Sequence, residues 1–247
     1  MFFKLLACNV FFREICLRAA QAPHVYDLEF TEKGEHDRPE TLRELLQDKI
    51  NAAEASSKTY DAILLAYGLC GNALSGLSAR KTRLVAPRAH DCCTLFLGSK
   101  ERFRTHFADN PSRPFSSSGY MERGGGAAHT QGASACLGLD KSYAQYAALY
   151  GEENARYIME SLAPPGEAAG EKEVFFIDMP ETAFLGYAEK CRKEAEEAGK
   201  TFTCVEGDSR LLCGLLLGVW PEEEFLVLAP GEKVRPVYDW DEVIRAG

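Results

Sequence analysis

Residues 60–72 read YDAILLAYGLCGN. An unbroken apolar run closed by glycines is the pattern of a strand covered on both faces, as in a parallel sheet. The GLCGN that follows is a tight turn, with glycines where the backbone must bend. Working outward, residues 82–87 form a second short apolar segment, and RAHDCC follows it. Upstream, residues 2–8 run into Cys8-Asn9, and residues 24–30 alternate Val, Tyr and Phe with polar residues. Downstream, residues 174–178, 201–205 and 225–228 repeat the strand pattern.

Between these strands the period changes to that of a helix. Phe11, Ile15 and Ala19 share one side of residues 10–20. Leu42, Leu45, Leu46 and Ile50 mark a helix opened by Pro39. Further helices are expected over 94–107, 141–162 and 184–199, the last closed by a glycine cap, and after Asp208 as N-cap. Strand and helix therefore alternate through the first half, and again after a break. This predicts an α/β fold with a three-layer doubly wound, mainly parallel sheet. The expected organisation is a single domain over 1–247. It has a loop insertion at 110–138, rich in Ser, Gly, Pro and Ala, and a linker at 163–172 between two βα halves. Beyond Pro230 an irregular tail is expected.

The chain has 247 residues, of which 46% are hydrophobic, so it can bury a sizeable core. Its net charge of -9, without any basic run, argues against nucleic acid as a partner. No apolar stretch approaches the roughly 18–20 residues that a membrane span needs. The opening MFFKLLACNVFF is read as the first strand rather than a signal segment, because Arg13, Glu14 and Arg18 follow at once. A cytoplasmic location is expected, and with it nine reduced cysteines.

In open α/β sheets, ligands bind beyond the carboxyl ends of the strands. Those ends carry Cys8-Asn9, Gly68-Leu69-Cys70-Gly71-Asn72, Arg88-Ala89-His90-Asp91-Cys92-Cys93, Asp178 and Glu206-Gly207-Asp208. Thiolates and a neutral imidazole make a soft-metal set, so Cys8, Cys70, His90 and Cys92 are candidate metal ligands. Zinc is the first expectation, with iron or an iron–sulfur cluster as the alternative. Asp91 would orient His90 or bind water beside the metal, and Glu206 would face the site; these two are the candidate catalytic carboxylates. Gly71 and Asn72, in the turn, are candidate cofactor-binding positions through backbone N–H groups. A second reading makes Cys92 or Cys93 a nucleophile at a helix start, with His90 as base. A third makes Cys8, Cys70 and His90 ordinary buried or loop residues. Cys16, Cys136, Cys191, Cys204 and Cys213 read as small apolar residues.

The segments LLACNVFFREIC, YDAILLAYGLCGN, LVAPRAHDCCTLFLGSKERF, YGEENARYIME and EGDSRLLCGLLLGVW together resemble the domain of unknown function 1638 family. The resemblance spans nearly the whole chain, with run 124–138 as the departure. It implies no settled activity. It does imply a setting, since members tend to be encoded near corrinoid-dependent methyltransferases and one-carbon genes of anaerobes. The expectation is therefore a metal-dependent enzyme or accessory protein in methyl-group metabolism, acting on a small molecule or beside a corrinoid protein or methyltransferase. The alternatives are a non-catalytic small-molecule or corrinoid-protein binding module and a metal-free cysteine-dependent transferase.

Overall fold

The structure is a computed structural model, and it describes residues 1–33, 39–108, 113, 115–124, 152, 173–237 and 239–247. The chain begins with β1 (Phe2–Cys8), a 3-10 turn (Asn9–Phe11) and α1 (Phe12–Gln21). Next come β2 (Val25–Thr31), α2 (Pro39–Ala55), β3 (Ala62–Ala66) and β4 (Leu84–Pro87). Then α3 (Cys92–Leu97), α4 (Lys100–Phe107), β5 (Phe115–Ser117) and α5 (Ser118–Glu122) follow. The last part holds β6 (Glu173–Asp178), α6 (Tyr187–Glu197), β7 (Thr201–Glu206) and α7 (Arg210–Leu217). It closes with β8 (Phe225–Leu228), β9 (Val234–Pro236) and β10 (Ile244–Ala246).

The fold is α/β, with the strands shared between sheets. The larger sheet has the order β2-β1-β3-β4-β8, parallel except for β8, which runs antiparallel to β4. A second, fully parallel sheet has the order β5-β6-β7. β3 is buried at every position and pairs on both sides, which is why its sequence is uniformly apolar. β2 lies at the sheet edge and is only half-buried, which is why its sequence alternates. One continuous hydrophobic core joins the two sheets through Leu5, Leu64, Phe96, Phe107, Phe175 and Ile177.

The strand–helix alternation predicts a helix between β3 and β4, but residues 70–76 form successive turns. The carboxylate of Glu54 holds that connection by accepting from the backbone N–H groups of Arg80, Lys81 and Thr82. The single helix expected over 94–107 is two helices. Gly98 adopts φ +79, and a Cβ there would meet Asp208 at 2.7 Å, so the chain must turn where the 207–208 loop passes. The Ser99 hydroxyl then caps α4 by accepting from Arg102 N–H at 3.1 Å. The N-cap position of α7 is Ser209, one residue after the expected Asp208, but its side chain makes no capping bond; the Asp208 carboxylate instead accepts from Arg210 N–H at 2.8 Å. The stretch read as an insertion contributes β5, paired with β6, and α5. The tail forms the hairpin β9–β10. It is tied down by the buried Arg88 guanidinium, which donates to the carbonyls of Glu222, Glu242 and Ile244. The expected helix over 141–162 and linker at 163–172 lie outside the described residues, apart from residue 152. Among the described residues, no helix is long and apolar enough to cross a membrane.

Candidate functional site

The parallel register sets the carboxyl ends of β2, β1 and β3 side by side, with Cys8 opposite Thr31 and Ala7 opposite Ala66. Tyr67 follows β3 directly, and its hydroxyl lies 3.0 Å from the Thr31 hydroxyl. The chain then enters a turn in which three consecutive residues, Cys70 (φ 44), Gly71 (φ 64) and Asn72 (φ 71), are left-handed. Only glycine adopts this region freely, so Cys70 and Asn72 are held there by their surroundings. The restraints are visible. Leu69 N–H donates to the Ala89 carbonyl at 2.8 Å and Cys70 N–H to the His90 carbonyl at 3.0 Å. Arg43 donates to the Asn72 carbonyl at 2.9 Å. Gly68 is required, because a Cβ there would lie 2.4 Å from the Asp91 backbone.

This close pairing of the two loops brings Cys70 Sγ to 3.8 Å from Cys92 Sγ. Cys92 is the first residue of α3, and both sulfurs are buried. A third element completes the group. Gly119 presses on the 3-10 turn after Cys8, so closely that a Cβ would fall 1.8 Å from the Val10 carbonyl oxygen. The next residue, Tyr120, is buried and lies close enough to Cys92 to influence its acidity. Cys8 lies near enough for its sulfur to interact electrostatically with that of Cys92. The cluster is therefore three thiols, Cys8, Cys70 and Cys92, and two tyrosine hydroxyls, Tyr67 and Tyr120.

The members differ in acidity. The hydrogen bond from Cys70 draws the Cys92 thiol below its ordinary value; burial opposes this and Tyr120 assists it. Burial pushes the Cys8 thiol up to about 12, with the neighbouring Cys92 adding to the rise. Burial also raises Cys93, Tyr67 and Tyr120 well above their ordinary values. Of Cys8, Cys92 and Cys93, Cys92 is therefore the thiol whose surroundings favour the thiolate.

The other expected site residues are placed elsewhere. The His90 ring packs against Trp240 at 5.3 Å and Phe103 at 5.7 Å, and burial followed by Lys100 lowers its pKa. Its Nε2 is buried with no partner among the described residues. Asp91 caps α3, accepting from Thr94 N–H at 3.0 Å and from the Thr94 hydroxyl at 3.3 Å. Burial raises the Asp91 carboxyl to about 6. Glu206 is exposed at the end of β7, beside Asp178 in the other sheet. Gly71 and Asn72 share the turn with Cys70. Among the described residues, no group of three or more His, Cys, Asp or Glu side chains is arranged to hold a metal ion.

Sequence reasoning missed both tyrosines. Tyr67 reads as the last apolar residue of a strand, and Tyr120 sits in a stretch that reads as loop. The signal for Tyr120 was the small-residue run Ser116-Ser117-Ser118-Gly119 before an aromatic, which permits close approach. Those three serine hydroxyls are buried without a partner among the described residues.

The family model described as "Protein of unknown function (DUF1638)" matches residues 30–216. No curated protein and no solved structure matches the chain.

Proposed function

This chain belongs to the DUF1638 family, and from that membership and the thiol cluster we propose that it is a cysteine-dependent transferase whose reactive group is the Cys92 thiolate. The observation that carries this reading is the Cys70–Cys92 contact of 3.8 Å, since a neighbouring thiol that donates its proton stabilises the thiolate form. Tyr120, beside the same sulfur, adds to this effect. In the reaction, the Cys92 lone pair forms a bond to an electrophilic carbon while the bond from that carbon to its carrier breaks, the electron pair leaving with the carrier. Cys92 is 6% exposed, which suits a one-carbon group better than a long acyl chain. The corrinoid and methyl-group setting implied by the family resemblance supplies such a group, delivered by a small molecule or by a partner corrinoid protein.

A second reading has its own support. In a tetrahedral site with Zn–S bonds of about 2.3 Å, two thiolates stand about 3.8 Å apart. The Cys70–Cys92 separation matches that edge. Bound zinc, or iron, would supply Lewis acidity and hold a thiol substrate deprotonated. His90 and Asp91 take no part in this set, because one packs among aromatics and the other caps a helix.

One preparation separates the readings. Anaerobically purified protein is analysed for metal, and the pH dependence of Cys92 alkylation by iodoacetamide is followed by mass spectrometry. The transferase reading expects no stoichiometric metal and an alkylation midpoint below the free-thiol value of about 8.5, with the midpoint rising in Cys70→Ala. About one bound metal, lost in Cys70→Ala, establishes the second reading instead. Metal-free protein whose Cys92 resists alkylation up to a pH above that midpoint overturns both.

A further inference from the structure

We propose that Cys70 and Cys92 close into a reversible disulfide, giving the site a thiol–disulfide activity toward small hydroperoxides beside its group transfer. The inference rests on the reading of Cys92 as the reactive thiol. A disulfide S–S bond is about 2.05 Å, so from 3.8 Å each sulfur needs to move only roughly 0.9 Å. The approach is set by backbone and not by flexible side chains. The bonds from Leu69 and Cys70 to the carbonyls of Ala89 and His90 fasten the turn carrying Cys70 to the segment leading into Cys92. Gly68, against the Asp91 backbone, lets the two loops touch. Cys70 and Cys92 are 3% and 6% exposed, so the site admits a small oxidant and excludes a protein disulfide.

The chemistry balances with a hydroperoxide as the oxidant. The Cys92 thiolate attacks the terminal peroxide oxygen, and the O–O bond breaks. The departing alkoxide takes up the proton that the thiol had lost and leaves as an alcohol, and Cys92 becomes a sulfenic acid. The Cys70 sulfur attacks the Cys92 sulfur, the S–O bond breaks, and hydroxide leaves with the Cys70 proton as water. Two thiols have then lost two electrons and two protons, and the hydroperoxide has become an alcohol and water. An external dithiol returns the pair by exchange. While the disulfide stands, Cys92 cannot accept a carbon group, so the oxidant also switches off the transfer activity.

The test uses the reduced full-length protein and hydrogen peroxide, quenched with N-ethylmaleimide in denaturant and mapped by peptide mass spectrometry. The expected result is a Cys70–Cys92 cross-linked peptide in most of the protein, with Cys8 still reduced. It disappears with dithiothreitol and does not form in Cys70→Ser, where Cys92 proceeds to sulfenic and sulfinic acid. Mapping the wild-type protein decides the matter even where a variant folds poorly. Sulfinic acid at Cys92 of the wild type without a cross-link overturns the proposal, and so does a cross-link from Cys8 to Cys92 in its place. Iodoacetamide alkylation of the same preparation keeps the two ideas apart. Ready alkylation of Cys92 with no cross-link overturns the disulfide and leaves the transferase reading standing. A cross-link in protein whose Cys92 resists alkylation supports the disulfide and overturns that reading.

Discussion

Glu14 gives the fold a pH dependence that can be worked out before it is measured. Its side chain lies on α1 and is buried. Oε1 accepts from the Thr182 hydroxyl at 3.4 Å, and Oε2 has no partner among the described residues. Glu181 stands nearby, its own carboxylate kept below the ordinary range by Ser209 and by Arg18. Burial, with Glu181 and then Glu122 adding to it, raises the Glu14 carboxyl from 4.5 to about 7. At 1.36 kcal/mol for each pH unit of difference between folded and unfolded chain, this corresponds to about 3 kcal/mol. The sign follows from the direction. A carboxyl whose pKa is raised on folding contributes stability that is complete below 4.5 and is lost as the pH rises through 7. Above that point the folded chain holds a charge in an apolar place beside another carboxylate.

Glu14→Gln keeps an oxygen for Thr182 and removes the titration. Urea unfolding of the wild type and the variant is followed between about pH 5 and about pH 8, where stability is read from the linear dependence on denaturant. Near pH 5 the two proteins are expected to differ little. By about pH 8 the variant should be the more stable by about 2–3 kcal/mol. A difference that stays constant across this range, or one that favours the variant increasingly as the pH falls, refutes the assignment of Glu14 as a buried, mostly neutral acid.

Two further outcomes test the framework around the thiols. Gly119→Ala places a methyl group 1.8 Å from the Val10 carbonyl oxygen, backbone against backbone. It should cost about 3 kcal/mol, at the upper part of the overpacking range, lower the melting temperature and raise the pH midpoint of Cys92 alkylation as Tyr120 is displaced; an unchanged melting temperature would show that α5 does not sit on the turn after Cys8. Asp91→Ala removes the cap of α3 and should cost about 1–2 kcal/mol in urea unfolding, while Asp91→Asn, which keeps the accepting oxygen for Thr94, should cost far less. Equal losses in the two variants would mean that capping is not what Asp91 contributes.

Much of this molecule can be read along the chain. β3, β4, β6, β7 and β8 stand within a few residues of where apolar runs and turn residues place them, and in β3, β4 and β6 burial on both faces is what leaves that local pattern. The membership of Cys8, Cys70 and Cys92 in one cluster was legible for a related reason. In parallel strands the carboxyl ends share one edge, so residues distant in sequence that end a strand or lie in the loop just beyond it become neighbours. What could not be read is the direction in which each side chain leaves. His90 and Cys92 are two residues apart, but the chain changes from strand to helix at Asp91, and one ring goes to Trp240 while one sulfur goes to Cys70. Asp91 itself is spent on the helix start that this change creates.

The amino-acid sequence thus determined β1–β4 and β6–β8, most of the described helices and the thiols at or just beyond the strand ends, because periodicity, turn chemistry and strand termini are properties of short stretches. Tertiary structure alone decided the separation of β5, β6 and β7 from the larger sheet, the arrival of Tyr120 on α5, and the left-handed turn that sets Cys70 against Cys92. Each of these depends on which backbones approach one another, at Gly68 against Asp91 and at Gly119 against Val10, and close approach between distant segments has no period to read.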